Sequence, residues 1–142
     1  MARKLIDPES TQPSLSQAGE QAKENILGVK TGASGEELPR QWGEPKTEDV
    51  PIERYPYRIC TFPNQLVAVS QRNQVELIVA LDGFSGKTAR EVAMGYSKEE
   101  VISRYGEPST TLDSSQGVTL VYDPPGVSFN FRDGKLVSWV LF

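Results

Sequence analysis

The chain of 142 residues is long enough for one ordinary domain or two small fused ones, and 15 basic against 19 acidic side chains leave a net charge of −4. That balance opposes non-specific attraction to nucleic acid or anionic lipid, and no basic run of the length those surfaces need appears. Histidine is absent and cysteine occurs once, at Cys60, so the commonest general base, the commonest metal ligand and an internal disulfide are all excluded.

No apolar run approaches the roughly 18 residues of a membrane span, and the first residues lack the charged, apolar, small pattern of a signal peptide. The expectation is a protein without direct membrane insertion, cytoplasmic as the sequence stands, or in the cell envelope if a leader has been removed. Residues 1–16 carry Pro8 and Pro13 among hydroxyl and amide side chains with no helical or strand period, which predicts a flexible tail, with Leu5 and Ile6 as an alternative docking anchor. In residues 17–27, Ala22, Ile26 and Leu27 fall at helical spacing and predict a short helix.

A helix-start motif follows. Ser34 and Glu37 stand three apart in the capping-box pattern, Leu38 and Trp42 share one face, and Gly43 with Pro45 ends the helix. Pro39 at that depth predicts a helix that is kinked, short or partly 3₁₀. Residues 46–56 are charged and contain Pro51 and Pro56, which predicts a loop; strands are expected over 57–62, 66–71 and 75–81 as a meander.

The chain then repeats itself. Residues 27–45 match 90–108 with eight identities in nineteen positions, and 57–81 match 118–142 in the placing of apolar runs and turns, with Pro63 on Pro124 and Val79 on Val140. Residues 88–94 predict a helix equivalent to that over 17–27. Ser97 and Glu100 form the second capping box, Val101, Ile102 and Tyr105 the apolar stripe, and Gly106 with Pro108 the stop. A polar loop is expected over 109–117, then strands over 118–122, 127–132 and 136–142, the last two joined at Asp133 and Gly134. The organisation expected is a tail (1–16), a first repeat (17–81) and a second (82–142), sharing one core because neither repeat buries enough alone. The fold class expected is α+β: two helix-helix-three-strand repeats forming an antiparallel sheet with helices packed on one face.

The last strand is apolar on both faces, through Leu136, Val137, Trp139, Val140, Leu141 and Phe142, so it is either central in the shared sheet or covered by a partner. The contact residues expected for a protein partner are Trp139 and Leu141, with Tyr122 and Arg132 at the rim and Tyr55 and Tyr57 extending the surface from the first repeat.

One segment invites a nucleotide reading: Ser85, Gly86, Lys87 and Thr88 after a strand. A phosphate loop needs a glycine five residues before Gly86, where Leu81 stands, and Gly83 comes two residues too late. The acidic pairs Glu36 with Glu37 and Glu99 with Glu100 sit at helix starts, where carboxylates complement the helix dipole. No cofactor, metal site or catalytic residue is expected. A small ligand- or nucleotide-binding domain using residues 85–88, and an architectural subunit of a larger complex, remain alternatives.

The doubled pattern carried by Gly95, Ser97, Glu100, Val101, Gly106 and Pro108, followed by Phe129, Asp133, Gly134 and Lys135, resembles the SmpA/OmlA lipoprotein domain of the bacterial outer-membrane assembly machinery. It is similar also to the beta-lactamase-inhibitor-protein family. That resemblance implies helix pairs on one face of an antiparallel sheet and a non-catalytic role in binding other proteins, as an assembly factor or inhibitor.

Overall fold

The computed structural model describes residues 23–51 and 54–142, so the expected tail and most of the expected helix over 17–27 lie outside the described residues. Eight strands form one antiparallel sheet: β1 (Lys46–Val50), β2 (Tyr57–Thr61), β3 (Leu66–Gln71), β4 (Gln74–Ala80), β5 (Thr110–Ser114), β6 (Gly117–Tyr122), β7 (Val127–Arg132) and β8 (Lys135–Leu141). Their order across the sheet is β1-β2-β3-β4-β8-β7-β6-β5. Two short helices precede the two sets of four strands, α1 (Leu38–Trp42), entered through a 3₁₀ turn at Gly35–Glu37, and α2 (Lys98–Tyr105).

The α+β expectation is therefore corrected: the fold is predominantly β. Two features of the chain account for the difference. The stretch over 88–94 does not form a helix; Glu91 takes φ 67°, Lys87 bridges Ala93, and the Thr88 hydroxyl accepts the Val92 amide at 3.1 Å. Seven residues cannot offset the cost of helix nucleation when a threonine side chain offers the backbone another partner. The described end of the 17–27 segment also turns, with Leu27 at φ 52° and Ile26 bridging Val29. Conversely, β1 and β5 lie in stretches read as loops. Nearly all their side chains are exposed, so neither shows the alternation that marks a half-buried strand. Backbone pairing to β2 and β6 is what makes them strands.

The centre of the sheet is a junction between the two repeats. Trp139 faces Ala80, Val140 faces Val79 and Leu141 faces Ile78. Each hairpin flanking the junction has the same register: Leu66 opposite Ala80 and Ala68 opposite Ile78 in the first, Val127 opposite Leu141 and Phe129 opposite Trp139 in the second. Exchanging the repeats therefore maps the β4–β8 pairing onto itself, with Val79 and Val140 at the pseudo-twofold. Even the irregularities repeat. The register slips between Val69 and Ser70 and again between Leu136 and Ser138, bulging Glu76 and Val137. Both tight turns, at Arg72 and Asn73 and at Asp133 and Gly134, have positive φ at two successive residues, the type I′ geometry that suits the strand twist.

The structure shifts one part of the repeat alignment by a residue. Cys60 opposes Ala68 while Leu120 opposes Phe129, so Cys60 corresponds to Leu120, and Arg58 to Val118, Phe62 to Tyr122. The turn through Asp123, Pro124, Pro125 and Gly126 is one residue longer than its counterpart at Pro63, Asn64 and Gln65. In a strand, a slip of one residue exchanges the two faces.

One face of the sheet is buried. Leu66, Ala68, Val75, Ile78 and Ala80 from the first unit join Leu120, Tyr122, Val127, Phe129, Phe131, Leu136, Trp139 and Leu141 from the second. Over them lie Leu38 and Trp42 of α1, Val101 and Tyr105 of α2, and irregular chain carrying Ile26, Phe84 and Val92. The aromatic rings interlock edge to face, Trp42 on Phe62 at 5.2 Å and Tyr105 on Phe129 at 5.0 Å. The helices stop where their glycines allow: Gly43 and Gly106 have φ 91° and 84°, and their amides return to Pro39 and Ile102. In α2 the capping box is complete. In the first unit the Ser34 hydroxyl accepts instead from the Glu36 amide and the Asn73 side chain. A buried Glu24 clasps the start of the described chain to the second unit, accepting from the Tyr105 hydroxyl at 2.6 Å and the Ala89 amide at 2.8 Å.

Trp139 is thus core, fully buried where the two repeats meet. Trp139→Ala should lower stability by about 3–5 kcal/mol, read from the urea midpoint; a loss below about 1 kcal/mol would mean that the ring is not packed as described.

Candidate functional site

With the register corrected, the two units are found to share a backbone and to differ in side-chain chemistry on both faces. On the face turned away from the core, Ile59, Val69 and Leu77 are neighbours across β2, β3 and β4. The same places in the second unit hold Thr119, Asn130 and Ser138. Those three form a hydrogen-bonded ladder: the Thr119 hydroxyl donates to Asn130 Oδ1 at 2.8 Å and Asn130 Nδ2 donates to Ser138 Oγ at 3.0 Å. The apolar trio is extended by Val50 beside Tyr57 on one side and by Val67, Val79 and Val140 on the other. These side chains are half-buried or exposed, with Leu77 at 36% exposure, and none belongs to the core. Val50, Tyr57, Ile59, Val69 and Leu77, with Glu76, line a shallow groove of about 460 Å³.

The second unit acts as an internal control. The fold accepts Thr, Asn and Ser at the three positions and satisfies their polar atoms, so the backbone does not require apolar side chains there. Cross-strand β-branched pairs do contribute to a sheet, by about 0.2–1 kcal/mol each. Yet a threonine-asparagine-serine row supplies a comparable sheet surface without presenting a hydrophobic patch to water.

The six residues expected to contact a partner are dispersed. Trp139 and Leu141 point into the core and Tyr122 is 3% exposed, its hydroxyl donating to the Gly106 carbonyl at 2.8 Å. Strand β8 is apolar on both sides because it is central in the sheet, which removes these three from any outer surface. Arg132 is exposed at the end of β7, next to the turn. Tyr57 lies in the apolar patch. Tyr55 is on the opposite side, in a cleft beneath the 3₁₀ turn, with the Arg72 guanidinium 4.5 Å from its ring centre. The residues missed were Ile59, Val69 and Leu77. Val69 and Leu77 already fall on Asn130 and Ser138 in the sequence alignment, whereas Ile59 falls there on Leu120, so the contrast in β2 emerges only with the observed register.

The segment considered for phosphate binding is used structurally. Phe84 packs on Trp139 at 5.7 Å, Lys87 lies 3.6 Å from Glu91, and Thr88 is buried with its hydroxyl engaged. A phosphate loop delivers its amides at a helix N-terminus, and the next helix begins only at Lys98.

No protein-family model, curated protein or solved structure matches the chain.

The titration of the buried tyrosines reports on the second unit. Burial, and then the nearby Glu107 charge, pushes the Tyr122 hydroxyl up to about 12; burial and the Glu24 carboxylate raise that of Tyr105 as well. A phenol ionises near 10 in an unfolded chain, so the unfolded state loses its protons first. The stabilisation is complete below about pH 10 and is lost as pH rises towards about 12. Thermal midpoints should be level from neutrality to about pH 9 and fall steeply above about pH 10, with a shallower fall in Tyr122→Phe; equal slopes in the two proteins would contradict the burial of that hydroxyl.

Proposed function

We propose that the chain is a non-catalytic protein-binding module whose contact surface is the apolar half of its outer sheet face. The observation that carries this reading is the difference between structurally equivalent positions: Ile59, Val69 and Leu77 in one unit, Thr119, Asn130 and Ser138 in the other. A hydrophobic patch that the fold itself does not need, on a surface where the alternative is built next to it, is explained by a partner.

The size of the patch selects the kind of partner. Strands about 4.8 Å apart with same-face residues about 6.8 Å apart make it on the order of 400 Å², half of the about 800 Å² per side of a standard stable interface. A face-to-face homodimer would have to bury the polar ladder too. A single amphipathic helix of a partner protein, with an apolar stripe of three or four side chains, matches the patch and completes a layer over the sheet. The resemblance to assembly lipoproteins and inhibitor proteins accords with such a role, although the residues that carry it, Gly95, Ser97, Glu100, Gly106 and Pro108 among them, form caps and stops of α2 and not this surface.

The test uses the second unit's own residues. The variant Ile59→Thr, Val69→Asn, Leu77→Ser should remain folded, losing no more than about 1 kcal/mol per site. A photo-crosslinker at Val67, beside the patch, should attach to an amphipathic helical segment of a partner in the unmodified background and not in the triple variant. Equal crosslinking in both, or attachment to a non-helical segment, or none, would overturn the reading.

A further inference from the structure

The exchange of chemistry between the units has a second half, on the core-facing side. Where the second unit sets Val118, Leu120, Phe129 and Phe131 against its helix, the first sets Arg58, Cys60, Ala68 and Ser70. Phe129 and Phe131 fill the core of the second unit; their counterparts are too small to fill that of the first. What remains is a cleft of about 460 Å³ between the 3₁₀ turn at Gly35–Glu37 and the strands β1 to β3.

The groups around this cleft are mainly polar and charged. Ser70 is 7% exposed and lines the cleft, yet its hydroxyl makes no hydrogen bond to any described residue. A hydroxyl at the wall of an open cleft can donate to an acceptor placed there. Beside it in the sheet, Arg58 is held by Asp49 through Nε at 2.9 Å and Nη2 at 3.3 Å, leaving Nη1 without a partner among the described residues. That ion pair holds the Asp49 carboxyl below its usual value. The Arg72 guanidinium lies over the Tyr55 ring, 4.5 Å from its centre, and lines the cleft. Glu36 stands exposed at the rim.

The geometry points to a ligand-binding site for an α-carboxylate, taken from a free amino acid or from the C-terminus of a short peptide, with the carboxylate received by Ser70, Arg58 and Arg72. Two guanidinium groups and a hydroxyl make a carboxylate receptor, since charge-assisted and forked N–H contacts favour that planar anion. Glu36 at the mouth suits the amino group of the same zwitterion. The volume admits up to about three small residues. This site lies on the opposite side of the sheet from the apolar patch and does not depend on it.

Cys60 lines the cleft and is the chain's single cysteine, so its rate of reaction with a thiol reagent reports occupancy. Burial pushes its thiol above the usual value, and the assay is therefore run at mildly alkaline pH. Trialanine, trialanine amide and alanine are the probes. For a Kd of about 1 mM, trialanine at about 5 mM should slow the reaction about sixfold, and the amide should slow it less than about twofold. Alanine protecting as well as trialanine would assign the ligand to free amino acids, and trialanine alone to peptide ends; either supports the site.

Arg72→Gln and Ser70→Ala, each shown to be folded by circular dichroism, should abolish the protection, measured for each variant against its own unliganded rate of Cys60 modification. Ser70→Phe, which restores the side chain of the second unit, should close the cleft and slow Cys60 without any ligand. The proposal is overturned by unchanged reactivity with all three probes, by equal protection from the acid and its amide, or by protection that persists in Arg72→Gln and Ser70→Ala.

Discussion

Everything in this molecule hangs on the antiparallel pairing of β4 with β8. Each unit of four strands and one short helix has only one long strand free to join a neighbour, and the two units spend those strands on each other. Ile78 and Ala80 from one side and Trp139 and Leu141 from the other bring the buried faces into one continuous layer. Were the pairing to slip by one residue, Trp139 would turn outward and the bulges at Glu76 and Val137 would lose their matched places. The register is thus set by the need to keep a tryptophan dry.

Once the junction is made, the two units are no longer under the same demands. The second has the heavier core: Phe129 meets Tyr105 and Tyr122 edge to face and lies tilted against Trp139, Phe131 is buried in the same cluster, and Glu24 reaches in to clasp Tyr105. Such a unit can hold the shared sheet for both. The first unit carries smaller residues inward and larger apolar ones outward. Its outer face shows Ile59, Val69 and Leu77, and its inner side opens into the cleft around Ser70. This is the division of labour that duplication permits: one copy supplies packing while the other is released from it. Both surfaces offered for binding lie in the released copy.

Parts of this were legible in residue order. The capping box at Ser97 and Glu100, the stops at Gly43 and Gly106, and the hairpin turn at Asp133 and Gly134 are local, because each depends on backbone groups within a few residues. The repeat itself was legible because glycines, prolines and caps recur at fixed spacing. Illegible were the edge strands β1 and β5, whose side chains are exposed on both faces, and the irregular chain around Thr88, whose conformation is held by Val92 and by the distant Glu24. The burial of Trp139, Leu141 and Tyr122 is hidden in residue order for a related reason. An apolar strand reads the same whether its second face meets water, a partner or more sheet.

The sequence by itself determined the duplication, the start of α2, the stops of both helices at Gly43 and Gly106, the tight turn at Asp133 and Gly134, and the absence of histidine and of paired cysteines. These follow from side chains acting on their own backbone, or from composition. Tertiary structure decided which strand stands at the centre, which of two equally apolar faces is buried, and which residues of one repeat correspond to which of the other. Those are matters of register, and register is set across strands: one extra residue in the turn from Asp123 to Gly126 exchanges the faces of the strand before it. Only with that residue placed do Ile59 and Thr119, or Arg58 and Val118, come to occupy the same position with opposite chemistry.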